Sequence, residues 1–171
     1  MENTIIEGKK ILTLAEVNAR LAETDKLIKN HALYSIGVGL IPMPVVDFVA
    51  LNALQLNLIR KLSNLYDVPF LKEKGKKMIG TLIGSGIPVV LSSTVASLLK
   101  FIPVIGYTTA SLSISIVGGA STYALGKVFV QHFESGGTFL DFDPMAVKEY
   151  FAKEFKEGQG LLSELSGSAT R

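Results

Sequence analysis

Two charge-free stretches decide how this chain is read: Met78–Leu99, MIGTLIGSGIPVVLSSTVASLL, and Phe101–Gly126, FIPVIGYTTASLSISIVGGASTYALG. They hold 22 and 26 residues, and Lys100 alone separates them. A hydrocarbon core about 30 Å thick takes roughly 20 helical residues, so each stretch is long enough to cross a bilayer. Together they predict a hydrophobic helical hairpin over 70–99 and 103–134, with Pro103 in the first turn of its second arm. Gly80 and Gly84 form a GxxxG pair that would let two helix backbones approach. Pro88 lacks the N–H that would bond the carbonyl of Gly84, which predicts a kink. In the second arm Ser111, Ser115, Gly119 and Thr122 fall on one small, weakly polar ridge, expected to pack against a neighbouring helix.

The whole chain, 171 residues, has room for one domain, expected over 1–158 with a flexible tail over 159–171. Apolar residues make up 48% and charged residues 19%, with a mean hydropathy of +0.39. That charged share is below the roughly one quarter usual in soluble chains, which excludes disorder and favours a membrane or a deeply shared core. There is no cysteine, so disulfides, thiol nucleophiles and thiolate zinc sites are excluded. A net charge of +2 argues against nucleic acid as a partner.

Charges gather on the flanks. From Arg60 to Lys77 there are six basic residues against Asp67 and Glu73, which by the positive-inside rule places that segment on the cytoplasmic side. A hairpin crossing twice would return the C-terminal part to that side, leaving both ends cytoplasmic. Met1–Lys29 lacks an apolar export region, so insertion without cleavage is expected. Thr13-Leu14-Ala15-Glu16 is a capping box that should start an amphipathic helix over 13–40. Ile41-Pro42-Met43-Pro44 then forms an elbow, re-entrant or interfacial, and Pro44 heads a helix over 44–66. Asp47 falls in that helix's first turn, where free N–H groups stabilise a carboxylate. Gln55 falls near the apolar face and needs a partner if buried. Ser135-Gly136-Gly137 should stop the hairpin's second arm. Asp143-Pro144 should open an amphipathic helix over 144–157 that Gly158 ends.

The chain carries no phosphate loop, complete dinucleotide fingerprint, nucleophile elbow or HExxH motif, so no enzymatic activity and no cofactor or metal is expected. His31 and His132 stand without a second ligand nearby in sequence and read as interfacial or helix-end residues.

Pro42, Pro44, Asp47, Gln55 and Tyr66-Asp67-Val68, followed by Pro103, Gly106 and Ala124-Leu125-Gly126-Lys127, resemble the bacterial YcjF-like domain of unknown function, family 697. The similarity runs from about Ala32 to Glu134. It implies an all-α, membrane-associated helical bundle of the kind often linked to Era-like GTPases, and it supplies no catalytic residues. The expected function is a non-enzymatic anchor or assembly scaffold, embedded as a homo-oligomer in the lipid bilayer of a bacterial inner membrane, that recruits a cytosolic partner such as a GTPase. A small oligomeric channel or transporter lined by the Ser/Thr ridge, and a soluble helical bundle with a buried hairpin, are the alternatives.

Overall fold

A computed structural model describes residues 5–6, 9–10, 12–38, 44–99 and 107–168, with side-chain surroundings over 12–37, 49–85 and 115–165. The fold is all-helical apart from a two-residue ladder at its start, where β1 (Ile5–Ile6) pairs antiparallel with β2 (Lys9–Lys10). Among the described residues five helices follow: α1 (Leu14–Val38), α2 (Pro44–Leu65), α3 (Lys72–Leu99), α4 (Tyr107–Glu134) and α5 (Lys148–Ser168). The elbow residues 41–43, Lys100, Pro103 and Gly106 lie outside the described residues, as do the side chains of Pro44, Asp47, Pro88 and Ser111.

Local chemistry sets the helix ends. Glu16 N–H donates to Thr13 Oγ1 at 3.2 Å while Thr13 N–H donates to Glu16 Oε2 at 2.8 Å, so the reciprocal cap starts α1. After α2, Val68 N–H reaches Ser63 O at 2.8 Å and Asp67 N–H reaches Asn64 O at 3.3 Å, with Asp67 at φ +55°. This is a Schellman turn. The same turn ends α4, from Gly137 to His132 O and from Gly136, at φ +86°, to Phe133 O.

α4 is the axis of the bundle. It packs most extensively on α1 and α5 and also touches α2. Nearly all of its described residues up to Val130 are buried, Ala120, Ala124, Leu125 and Phe129 completely. A helix buried all round must be apolar all round, with small residues wherever a neighbour crosses closely. A Cβ on Gly126 would lie 2.7 Å from Ile28, and one on Gly119 would lie 2.8 Å from Leu162 and 2.9 Å from the carbonyl oxygen of Ala32. These contacts fix directions. α1 and α5 run antiparallel to α4, while α2 runs parallel to it, with Leu51 beside Gly118 and Tyr66 beside Glu134.

Several expectations are corrected here. No helix, among the described residues, is long and apolar enough to cross a membrane. The described part of α4 is a core helix instead, buried against three protein neighbours. The described part of α3 packs on α5 and α2 and meets α4 only slightly, so it does not close a tight two-helix hairpin. Gly158 does not end α5, which runs on to Ser168; a Cβ there would stand 3.0 Å from the Tyr123 ring, so close helix contact accounts for the glycine. Residues 144–147 form a turn capped by Asp143, whose Oδ1 accepts from Met145 N–H at 2.9 Å, and the helix starts after it. Because α5 returns along α4 toward that helix's start, the course of α5 does not support both ends lying on one side.

Candidate functional site

Four of the buried polar side chains, Ser35, Gln55, Ser121 and Thr122, meet where α1, α2 and α4 join. Gln55 is fully buried on α2, and its Nε2 donates to Ser121 Oγ at 3.1 Å and Thr122 Oγ1 at 3.3 Å on α4. Across the same junction Ser35 Oγ of α1 lies 2.8 Å from Thr122 Oγ1. Ser121 and Thr122 each donate to the carbonyl of Gly118, at 2.8 and 3.0 Å, and Ser35 donates to the carbonyl of His31 at 2.8 Å. Ser121 gives its hydrogen to Gly118 O; Ser35 and Thr122 have two hydrogens between them for two carbonyls and their own contact; and both amide hydrogens of Gln55 are used. What remains is an acceptor, Gln55 Oε1, buried and without a donor. Unmatched acceptors in a low-dielectric interior weaken a contact, so this junction specifies how the three helices register more than it adds stability.

His31 lies one turn before Ser35 on α1, with Nδ1 2.8 Å from Leu27 O. Burial holds its pKa below the ordinary imidazole value, opposed by the Leu27 hydrogen bond and helped by the charge of Lys61. Ser35 is bonded to the backbone carbonyl of His31 and not to the ring, so the pair does not form a nucleophile and base.

Tyr66 forms a second tie at the far end of α2. Its hydroxyl donates to Glu134 Oε1 at 2.8 Å and lies 3.3 Å from Thr24 Oγ1, while the Arg20 guanidinium sits 4.7 Å from the ring centroid. Burial raises the Tyr66 pKa, with Thr24 acting the other way. One side chain thus joins α1, α2 and α4.

The loop after α4 carries what the pattern of the sequence did not reveal. Phe139 and Phe142 turn inward, 1% and 8% exposed, and the Phe142 ring stacks on Phe129 at 4.7 Å and 2°. His132 Nε2 lies 2.8 Å from Thr138 O, and Thr138 N–H donates to Asp141 Oδ1 at 2.7 Å. Asp141 is exposed, and the side-chain and backbone hydrogen bonds from Thr138 lower its pKa. Two phenylalanines three residues apart in a loop show no helical or strand period, which is why they are hard to find in advance.

The anticipated site residues separate into groups. Ser115 and Gly119 are buried in helix contacts, and Gln55 and Tyr66 are tied as described. Gly80 and Gly84 are exposed, and a Cβ on either meets nothing within 4 Å, so the GxxxG pair makes no helix contact among the described residues. Pro42, Pro103, Gly106 and the side chains of Pro44 and Asp47 are outside them. The described residues hold no cluster of three or more His, Cys, Asp or Glu able to grip a metal ion.

Comparison with known proteins bears on the chain as a whole. It is 34% identical over 142 residues to a protein of Magnetospirillum gryphiswaldense named magnetosome membrane protein 22, covering 82% of this chain and 73% of that relative. No solved structure matches it. The family described as Domain of unknown function (DUF697) matches residues 10–159. From the capping box at Thr13 to the Tyr123–Gly158 contact, the architecture above falls within that match, and the chain belongs to this family.

Proposed function

We propose that the protein is a non-enzymatic, membrane-associated anchor or assembly scaffold that recruits a cytosolic partner. The observation that carries this reading is the similarity, over most of both chains, to a protein whose name places it in a membrane. A homo-oligomer in a bacterial inner membrane is part of the same proposal, and a GTPase is the partner class that the YcjF-like resemblance raises. The buried hydroxyls of Ser121 and Thr122, engaged with Gln55 and Ser35, favour a packing role for the small-residue ridge over the lining of an ion path.

Carbonate extraction of membranes from cells making the full chain tests the anchor. The chain is expected in the pellet. A chain that is freely dissolved and monomeric in detergent-free buffer defeats this reading. Recovery of the intact protein in detergent at near-native abundance tests recruitment, and its repeated isolation without any cytosolic protein counts against the scaffold.

A further inference from the structure

A cleft of about 420 Å³ opens between the first turns of α3 and the loop after α4. Lys74, Lys77 and Met78 line one side, and Phe139, Phe142 and Pro144 the other. At its rim Leu140 is 73% exposed. We propose that this cleft docks an acidic, hydrophobe-bearing segment of a protein partner. The proposal rests on the scaffold reading above and names the face that the partner meets.

Charge is the first argument. The ammonium groups of Lys74 and Lys77 have no ion pair or hydrogen bond among the described residues, and no acid lines the cleft. The neighbouring acids are engaged: Glu73 with Lys76 at 3.1 Å, Asp141 with Thr138, and Asp143 with Met145 N–H. Two uncommitted cations above an aromatic floor complement a carboxylate-rich segment that carries a leucine or aromatic anchor.

Preorganisation is the second. Phe142 is locked on Phe129, and Asp141 accepts from both the N–H and the hydroxyl of Thr138, so the loop wall is already in place. Binding then carries little ordering cost.

Position favours a protein over an anionic bilayer as the occupant. The cleft lies at the end of the bundle where α4 finishes at Glu134; the charge-free sequence begins at the cleft wall with Met78 but is centred on Lys100, between the last residue of α3 and the start of α4 at Tyr107. At 1.5 Å per helical residue the two ends of α4 are about 40 Å apart, more than the roughly 30 Å of a hydrocarbon core. A membrane gripping the uncharged end would leave the lysines facing water.

The test places the photocrosslinking residue p-benzoylphenylalanine at Leu140, with Tyr34, exposed on α1, as the control position, in the full chain made in its own cells. Adducts are mapped by mass spectrometry to the crosslinked peptide. The expected result is an adduct from position 140, and not from 34, to a protein segment rich in Asp and Glu. Lys74→Glu with Lys77→Glu should lower its yield about tenfold or more. Both lysines are exposed, and circular dichroism verifies that the double variant folds. No adduct, an adduct to lipid or to an acid-poor segment, or a yield indifferent to the charge reversal overturns the proposal. Charge-reversal-sensitive binding of the purified protein to phosphatidylglycerol vesicles also overturns it, by assigning the cleft to lipid. Fractionation of the same cells separates the two readings: a soluble chain that keeps the adduct defeats the membrane anchor alone, and a membrane-bound chain without it defeats the cleft alone.

Discussion

The amide of Gln55 on α2 spans Ser121 and Thr122 on α4, donating to two hydroxyls in successive positions of one helix, at 3.1 and 3.3 Å. Ser121 directs its hydrogen to Gly118 O and Thr122 directs its own to Gly118 O or to Ser35, so both receive the amide without needing it for their own donors. The exchange is lopsided: it satisfies the nitrogen of Gln55 and leaves its oxygen unmatched.

Gln55→Met should therefore be mild, about 1 kcal/mol or less, because it removes the unmatched acceptor along with two weak bonds. Gln55→Glu puts a carboxylate in the same enclosed place, where no cation neighbours it among the described residues, and should cost about 3–5 kcal/mol. Denaturant unfolding of the two variants in one detergent checks the order, and equal costs would refute this account of the junction.

Glycines divide by what surrounds them. Gly119→Ala drives a methyl to within 2.9 Å of the Ala32 carbonyl and Ile36 and should destabilise by about 1–3 kcal/mol. Gly80→Ala adds a methyl in open space on an exposed helix face and should stabilise by about 0.5–1 kcal/mol. Thermal melts of the pair decide it; a destabilising Gly80→Ala would mean that this face is covered by something outside the described contacts.

Asp67 holds φ +55° at the end of α2, a conformation that costs an L side chain roughly 1–2 kcal/mol and glycine almost nothing. Asp67→Gly should raise the melting temperature by about 2–4 °C, the shift expected from about 1 kcal/mol in a chain of this size. Asp67→Val should lower it.

Burial depresses the pKa of His31 below its ordinary 6.5. The unfolded chain therefore binds the proton first as pH falls, so this residue's contribution is complete above 6.5 and is lost as pH drops through that value toward the lower folded pKa. Melting curves at pH 7.5 and 5.5 should show a larger acid loss for the natural chain than for His31→Gln. Identical losses would show that His31 titrates alike in both states.

Much of the local architecture was legible in the residues, because it depends on neighbours in sequence. The Thr13–Glu16 box starts α1, Pro44 opens α2, and Ser135-Gly136-Gly137 follows the end of α4 in the geometry such residues favour. Ser115, Gly119 and Thr122 fall on one ridge, which in a helix recurs every three to four residues, and all three are buried. What escaped depends on distant partners. Gly158 resembles a stop signal until Tyr123 is found against it, and the Gly80–Gly84 pair matches a packing motif that no described helix occupies. A lack of charge over 26 residues reads as a span by itself, although a helix enclosed by α1, α2 and α5 needs the same composition.

The opposed courses of α1 and α5 along α4 have a practical consequence for labelling. Thr13 and Ser168 mark opposite poles of the helical body, so reporters joined beyond them would sample different surroundings. A fluorophore at one pole and a quencher that acts only on contact at the other would stay apart within one molecule, so quenching between them would signal neighbouring molecules arranged head to tail.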